Sequence, residues 1–348
     1  MTRILIVGIG ALGGTIATRA TNAGIPVWLA TRTPESAKAL RASGLRLTGI
    51  GGAASSSALQ IATIDDYRQG DKFDLILLAT KAHAALKIAP QLADLLMPGG
   101  TLLPIQNGSV SQMLADQLGD SIVLAGLSNL GATMVEPGVY EQRNAGHLLI
   151  GELAGGLSDR VTKVAEALRG GIEIRVTPNL LSSVWAKLLL NCSVTTIGAV
   201  AGQTMRHYMT SSAGQEVFRQ MYDEALSVAL ASGTRPERMV VEPIPPGWKG
   251  KSVPSDEYNV WVDQIMATYG DIKPSMLQDF ERCRVTEIDF INGYVAQLGK
   301  KIGVPTTVNE ATTDIVHRIE QGLTQPGPKR LDELLRAAGA ERLFVPRD

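Results

Sequence analysis

Residues Arg3 to Gly13, RILIVGIGALG, put the spacing Gly-x-Gly-x-x-Gly directly behind a short aliphatic run and at the head of a helix-forming stretch. Few sequence features restrict a fold as much. The aliphatic run asks to be a buried strand, and glycine at these three positions permits a tight turn. It also permits backbone approach to a pyrophosphate and close packing of the following helix on the strand. The helix N-terminus, with its unsatisfied N–H groups and positive dipole end, then faces the phosphates. Gly8, Ile9, Gly10, Ala11, Leu12 and Gly13 are therefore expected to cradle a dinucleotide.

The first half of the chain continues that pattern. Buried strands are expected at 3–7, 27–30, 75–79, 101–105 and 122–125, with helices at 14–23, 35–43, 84–96 and 111–118 between them. Such alternation implies a parallel sheet with helices on both faces. From residue 127 to 176 the pattern turns to strands and turns with one helix at 158–168, read as an edge extension of the same sheet. After Pro178 long helical periodicities take over, at 180–200, 213–232, 261–269, 276–298 and 309–321, with a last short helix at 331–338 stopped by Gly339. The expected fold is an α/β N-terminal Rossmann-type doubly wound parallel sheet followed by an all-α C-terminal domain. Its domains are 1–177 and 178–348, the latter with a proline-bearing insertion at about 234–273.

Composition narrows the function classes. With 348 residues, 45% of them apolar and 19% charged, the chain can bury two ordinary cores. A net charge of −1 argues against a general nucleic-acid or anionic-membrane binder. The basic, apolar N-terminus breaks at once into glycines, unlike a signal peptide, and no run reaches about 18 uninterrupted apolar residues. A soluble cytoplasmic protein is expected. Cys192 and Cys283 both fall in apolar helical patterns and read as buried free thiols. No metal spacing is found, and the four histidines are scattered. Gly250-Lys251-Ser252 is no P-loop, because Pro245 stands where that motif needs glycine.

An NAD site wants a carboxylate at the end of the second strand, some 20 residues past the glycines. Here that strand ends Ala30-Thr31-Arg32-Thr33. Arg32 can stack on adenine and bind a 2′-phosphate, with Thr33 or Ser36 adding hydroxyls, so NADPH is the favoured cofactor. A solvated loop arginine is the other reading. Ligands of an open α/β sheet bind outside the C-terminal strand ends. Lys81, behind LILLAT, and Asn107, behind TLLPIQ, both fall there.

One carboxylate stands out in the second half. In PSMLQDFERCRVTEIDFINGY (274–294), helical spacing groups Phe280, Glu287, Ile291 and Tyr294 on one side with Arg284 or Cys283. A charge on such a stripe must be paired or used. From these residues alone it is either an ion pair with Arg284 on a solvated face or a working carboxylate.

Four ordered segments now make a pattern: GIGALG, the Gln106-Asn107-Gly108 turn, VWAKLLLN (184–191), and PSMLQD with TEID and ING. In these the chain resembles the ketopantoate reductase (2-dehydropantoate 2-reductase) family. The resemblance implies a Rossmann domain followed by a helical domain, with the active site between them. It also implies NADPH-dependent reduction of a branched 2-oxo acid to its (R)-2-hydroxy acid, a step of pantothenate biosynthesis. By position, Lys187 matches the general acid and Glu287 the carboxylate lining cofactor and active site. Asn107 matches an amide contacting nicotinamide ribose and substrate, Asn191 and Ser275 substrate contacts, and Ala132 a backbone contact to the cofactor. The chemistry agrees: an ammonium near a ketone polarises it and supplies the proton, and an apolar helix face would lower the Lys187 pKa. The chain departs from the family at Thr195-Thr196, where an Asn-Pro pair is usual, and at Met205-Arg206, where an asparagine is usual. A different 2-oxo or 2-hydroxy acid is the alternative substrate, and a non-catalytic nucleotide-binding protein the alternative class. The reading allows a homodimer through the helical domain and expects no nucleic-acid or membrane partner.

Overall fold

The computed structural model describes residues 2–341, and these part into two compact units between Leu180 and Leu181. In the first unit, Ile4–Val7 is buried throughout and pairs in parallel with Val27–Thr31 on one side and Phe73–Leu78 on the other. The five-stranded sheet runs in the order Gln60–Thr63, Val27–Thr31, Ile4–Val7, Phe73–Leu78, Leu96–Pro104. The chain moves outward on one side of Ile4–Val7 and then returns to its other side. The topological switch point therefore lies between the ends of Ile4–Val7 and Phe73–Leu78, where such folds bind ligands.

The stretch from 127 to 176 does not simply prolong this sheet. A four-stranded sheet joins Ala54–Ser56, Leu45–Gly49, Val139–Gln142 and Ala132–Glu136, and a three-stranded one joins Ile174–Val176, Leu148–Gly151 and Ala125–Ser128. An isolated parallel bridge, Leu102 to Val123, links the main sheet to the segment just before strand Ala125–Ser128. Helix Ala11–Asn22 packs against the four-stranded sheet as well as against the parallel one.

The second unit is helical. Its longest apolar element runs from Leu180 to Ala201, 22 residues, enough by length and composition to cross a membrane. However, 78% of its most apolar window is buried inside the protein, as in a core helix. Helices Ser212–Ala231, Asp256–Tyr269, Asn292–Ile302, Thr307–Glu320 and Lys329–Glu341 pack around it or one another. The last of these runs past Gly339 instead of stopping there.

The expected long helix at 276–298 is broken. Ser275–Glu281 ends with the Cys283 N–H on the Phe280 carbonyl (3.0 Å) and the Arg284 N–H on the Asp279 carbonyl (2.9 Å), a Schellman closure. Cys283 supplies the left-handed residue at φ 49°, the only positive φ among the described non-glycine residues. The chain then turns through Ile288–Phe290 and restarts as Asn292–Ile302. Two expectations fall with this break. Glu287 stands at the start of a short 3-10 turn and not on a helical stripe, and Cys283 is exposed, while Cys192 alone is buried.

Candidate active-site residues in the two units

In the first unit the glycine turn has the shape a pyrophosphate needs. Gly8 has φ 93°, and a Cβ there would lie 2.7 Å from the Thr80 backbone nitrogen; a Cβ on Gly13 would lie 2.0 Å from the Gly8 carbonyl oxygen. Both sites are closed to any side chain. Gly10 differs, because a Cβ there would meet nothing within 4 Å. Its missing side chain leaves open space over the turn, into which a phosphate can come close to the backbone. Helix Ala11–Asn22 begins there with no side-chain cap and no acidic residue in its first turn, so its own first turn leaves the positive end without a carboxylate. These observations fit a dinucleotide.

Three of the other expected residues follow the ends of neighbouring strands of the parallel sheet. Lys81 is the exposed N-cap residue of helix Ala82–Ala93, and half-buried Asn107 follows strand Leu96–Pro104. Sequence reasoning passed over Gln106, whose buried amide nitrogen donates to the Leu78 (3.0 Å) and Thr80 (2.9 Å) carbonyls and pins the loop that carries Lys81. Arg32 is exposed behind Val27–Thr31, and Thr33 caps helix Pro34–Ser43 by accepting the Ser36 N–H (3.2 Å). Ala132 opens its strand, and Asn144 holds the preceding loop through the Gly131 N–H (2.7 Å) and the Asn129 carbonyl (3.0 Å). Asn144 too was passed over, since its partners lie 13 and 15 residues away in sequence.

In the second unit, every residue from Ser183 to Ala201 is buried except Lys187, Asn191 and Thr195. Spaced by four, these three form the partly accessible stripe of an otherwise core helix. Burial lowers the Lys187 pKa to about 8, and the charge of Glu287 works in the opposite direction. An amine poised there can give up a proton near neutral pH. From Asn191 to Thr196 the helix widens to π geometry. The Thr195 and Thr196 hydroxyls both donate to the Asn191 carbonyl (3.0 Å each), the back-bonding that Thr favours inside helices.

Glu287 is set by its neighbours. Buried Thr286 donates its N–H to the Glu320 carboxylate (2.7 Å), and the Glu287 carbonyl accepts from the Phe290 N–H (3.0 Å). Helix Asn292–Ile302 meets the Lys187 helix through Tyr294 and Trp185, whose rings lie 6.1 Å apart. Ser275 is the exposed first residue of its helix; Pro274 just before it sits where a Cβ on Gly198 would come within 2.9 Å. Of the two departures from the family pattern, Met205 is core and its neighbour Arg206 is engaged by Asp271 at 2.8 and 2.9 Å. Among the described residues no group of His, Cys, Asp or Glu could hold a metal ion.

The irregular part of the expected insertion is tied to this unit by polar bonds. Asp223 accepts from the Ser252 N–H (2.7 Å), the Ser252 hydroxyl and the Trp248 indole (3.1 Å), while Tyr222 and Trp261 donate to the Pro243 and Glu242 carbonyls. Glu237 bonds Ser182 and Ser183 at the start of the Lys187 helix.

The family pattern "Ketopantoate reductase PanE/ApbA" matches residues 4–155, and its C-terminal counterpart matches residues 179–320. This chain belongs to the ketopantoate reductase family. It is an oxidoreductase of that family, with the Rossmann-like and helical parts the family implies. Among similar proteins, the 2-dehydropantoate 2-reductase of Pyrococcus abyssi is 28% identical over 309 residues, covering 88% of this chain and 94% of the relative. That of Archaeoglobus fulgidus is 26% identical, covering 92% and 99%. In fold the chain is similar to a PanE/ApbA family ketopantoate reductase from Ralstonia eutropha (TM-score 0.74, 24% identity, 92% and 99% covered). It is equally similar to D-mandelate dehydrogenase in complex with NADH and anilino(oxo)acetate (TM-score 0.75, 23% identity, 93% and 99% covered).

Proposed function

We propose that this ketopantoate reductase family member reduces a 2-oxo acid to its 2-hydroxy acid with NADPH, either ketopantoate to (R)-pantoate or a related substrate. The observation that carries the reading is Lys187, half-buried on an apolar helix with its pKa lowered to about 8 by burial. A nicotinamide dinucleotide held by residues 8–13 would supply the hydride for the carbonyl carbon. Lys187 Nζ donates the proton as negative charge builds on the carbonyl oxygen, and Glu287 keeps that amine protonated near neutral pH. Asn107, Asn191 and Ser275 hold the acid. Gly8 to Gly13, Arg32, Lys81, Asn107, Ala132 and Glu287 serve the nucleotide, with Arg32 selecting the 2′-phosphate. A cytoplasmic enzyme, dimeric through its helical unit, completes the reading.

A specific observation favours a 2-oxo acid other than ketopantoate. Where an asparagine is usual, Thr195 spends its hydroxyl on the Asn191 carbonyl, and Met205 is packed in the core. Neither offers an amide to a substrate hydroxyl or carboxylate. Loss of nicotinamide absorbance with NADPH or NADH and a panel of 2-oxo acids, ketopantoate and aryl-substituted acids among them, tests both readings. Turnover of one acid is expected; absence of turnover with every acid would remove the reductase assignment.

A further inference from the structure

The four-stranded sheet of the first unit reaches the glycine turn through one side chain. Tyr140, from strand Val139–Gln142, is fully buried, and its hydroxyl donates to the Ile9 carbonyl (3.1 Å) across 131 residues of sequence. Its ring lies against Gly14, where a Cβ would come within 2.0 Å of Cζ. Gly14 lies outside the Gly-x-Gly-x-x-Gly spacing, and this contact gives it a separate reason to be glycine. Burial pushes the Tyr140 pKa up to about 12, so the hydroxyl remains a donor throughout the working pH range.

Ile9 lies between the two glycines that shape the phosphate turn. The peptide plane that carries the Ile9 carbonyl also carries the Gly10 N–H, so fixing one fixes the other. A donor to that carbonyl therefore also orients the N–H of Gly10, the residue at which a Cβ would meet nothing within 4 Å. We propose that Tyr140 is a positioning residue for nucleotide binding, holding the Ile9–Gly10 peptide in its phosphate-binding orientation from the neighbouring sheet. This rests on the reading of residues 8–13 as a dinucleotide site.

Tyr140→Phe keeps the ring over Gly14 and removes only the hydroxyl. NADPH affinity, followed by the fluorescence of the reduced nicotinamide on titration without substrate, is expected to weaken roughly three- to tenfold, the scale of one hydrogen bond. The 2-oxo acid KM and the turnover at saturating NADPH should stay within about twofold, and the ligand-free urea midpoint should stay close to that of the parent; a merely structural tyrosine would move the midpoint instead. Gly10→Ala is the companion variant: its Cβ meets no protein atom but fills the space over the turn, and it should weaken NADPH at least as much. If Gly10→Ala weakens NADPH and Tyr140→Phe leaves it within twofold, the positioning role is overturned while the nucleotide site stands. If Gly10→Ala also leaves affinity unchanged, both are overturned. Loss of the urea midpoint in Tyr140→Phe with unchanged affinity likewise overturns the role.

Discussion

The charge of Glu287 opposes the loss of charge that burial imposes on Lys187, and the two together bring the amine to about 8. A general acid must be protonated to act, so reduction should hold below that value and fall as pH rises through it. Removing the carboxylate removes the influence that raises the pKa. Glu287→Gln is therefore expected to move the alkaline limb of kcat/KM to lower pH. A limb that stays near pH 8 in this variant would dissociate Glu287 from the titration of Lys187.

Lys187→Ala should lower turnover by about 10² or more, the scale of general acid catalysis. The half-buried ammonium is costly to the fold, so this variant should not be less stable than the parent by more than about 1 kcal/mol. Steady-state rates beside a urea midpoint check both parts, and an unchanged rate removes Lys187 from the reaction.

The glycine turn was legible because its requirement is local: tight turn, close approach and close packing all fall within six residues. Strand Gln60–Thr63, which completes the parallel sheet, was missed, because four residues of mixed polarity leave no period to detect. The break before Glu287 was hidden for a different reason. A helix ending usually shows a glycine in its left-handed position, and here that position holds Cys283. The stripe Lys187, Asn191, Thr195 could be read only as helical spacing until burial of every residue between them set it apart. Tyr140, from strand Val139–Gln142, and Asn144, in the loop after it, bond the Ile9 and Gly131 turns across long stretches of sequence, and no local pattern signals that.

Arg32 is exposed at the end of its strand, where an acidic residue would favour the ribose hydroxyl of NADH. Arg32→Ala should raise KM for NADPH about tenfold, as for loss of a charge-assisted hydrogen bond at an accessible site, and leave KM for NADH within about twofold. Equal effects on both nucleotides would refute the 2′-phosphate role.

Cys283 holds φ 49° with a Cβ that disfavours this region, and it is exposed, so nothing packs the side chain in compensation. Cys283→Gly should stabilise the protein by about 0.5–1 kcal/mol, the relief of strain exceeding the added freedom of glycine in the unfolded chain. The urea midpoint measures this. A lower midpoint would show that the Schellman closure does not carry the strain that its dihedral implies.

Asp223 gathers three of the polar bonds that hold the irregular stretch after Thr234. It is buried, and it accepts from the Ser252 backbone and hydroxyl and from the Trp248 indole. Asp223→Ala leaves the buried Ser252 N–H and hydroxyl and the half-buried Trp248 indole without this acceptor and should cost about 2–4 kcal/mol. Trp248 should then gain freedom, seen as a red shift and increased quenching of tryptophan fluorescence under conditions where the second unit remains folded. Asp223→Asn retains one acceptor oxygen and should fall between the parent and the alanine variant in both measurements. If Asp223→Ala keeps the parent midpoint and emission, the stretch is held by its apolar contacts, Val241 and Pro243 among them, and not by the carboxylate.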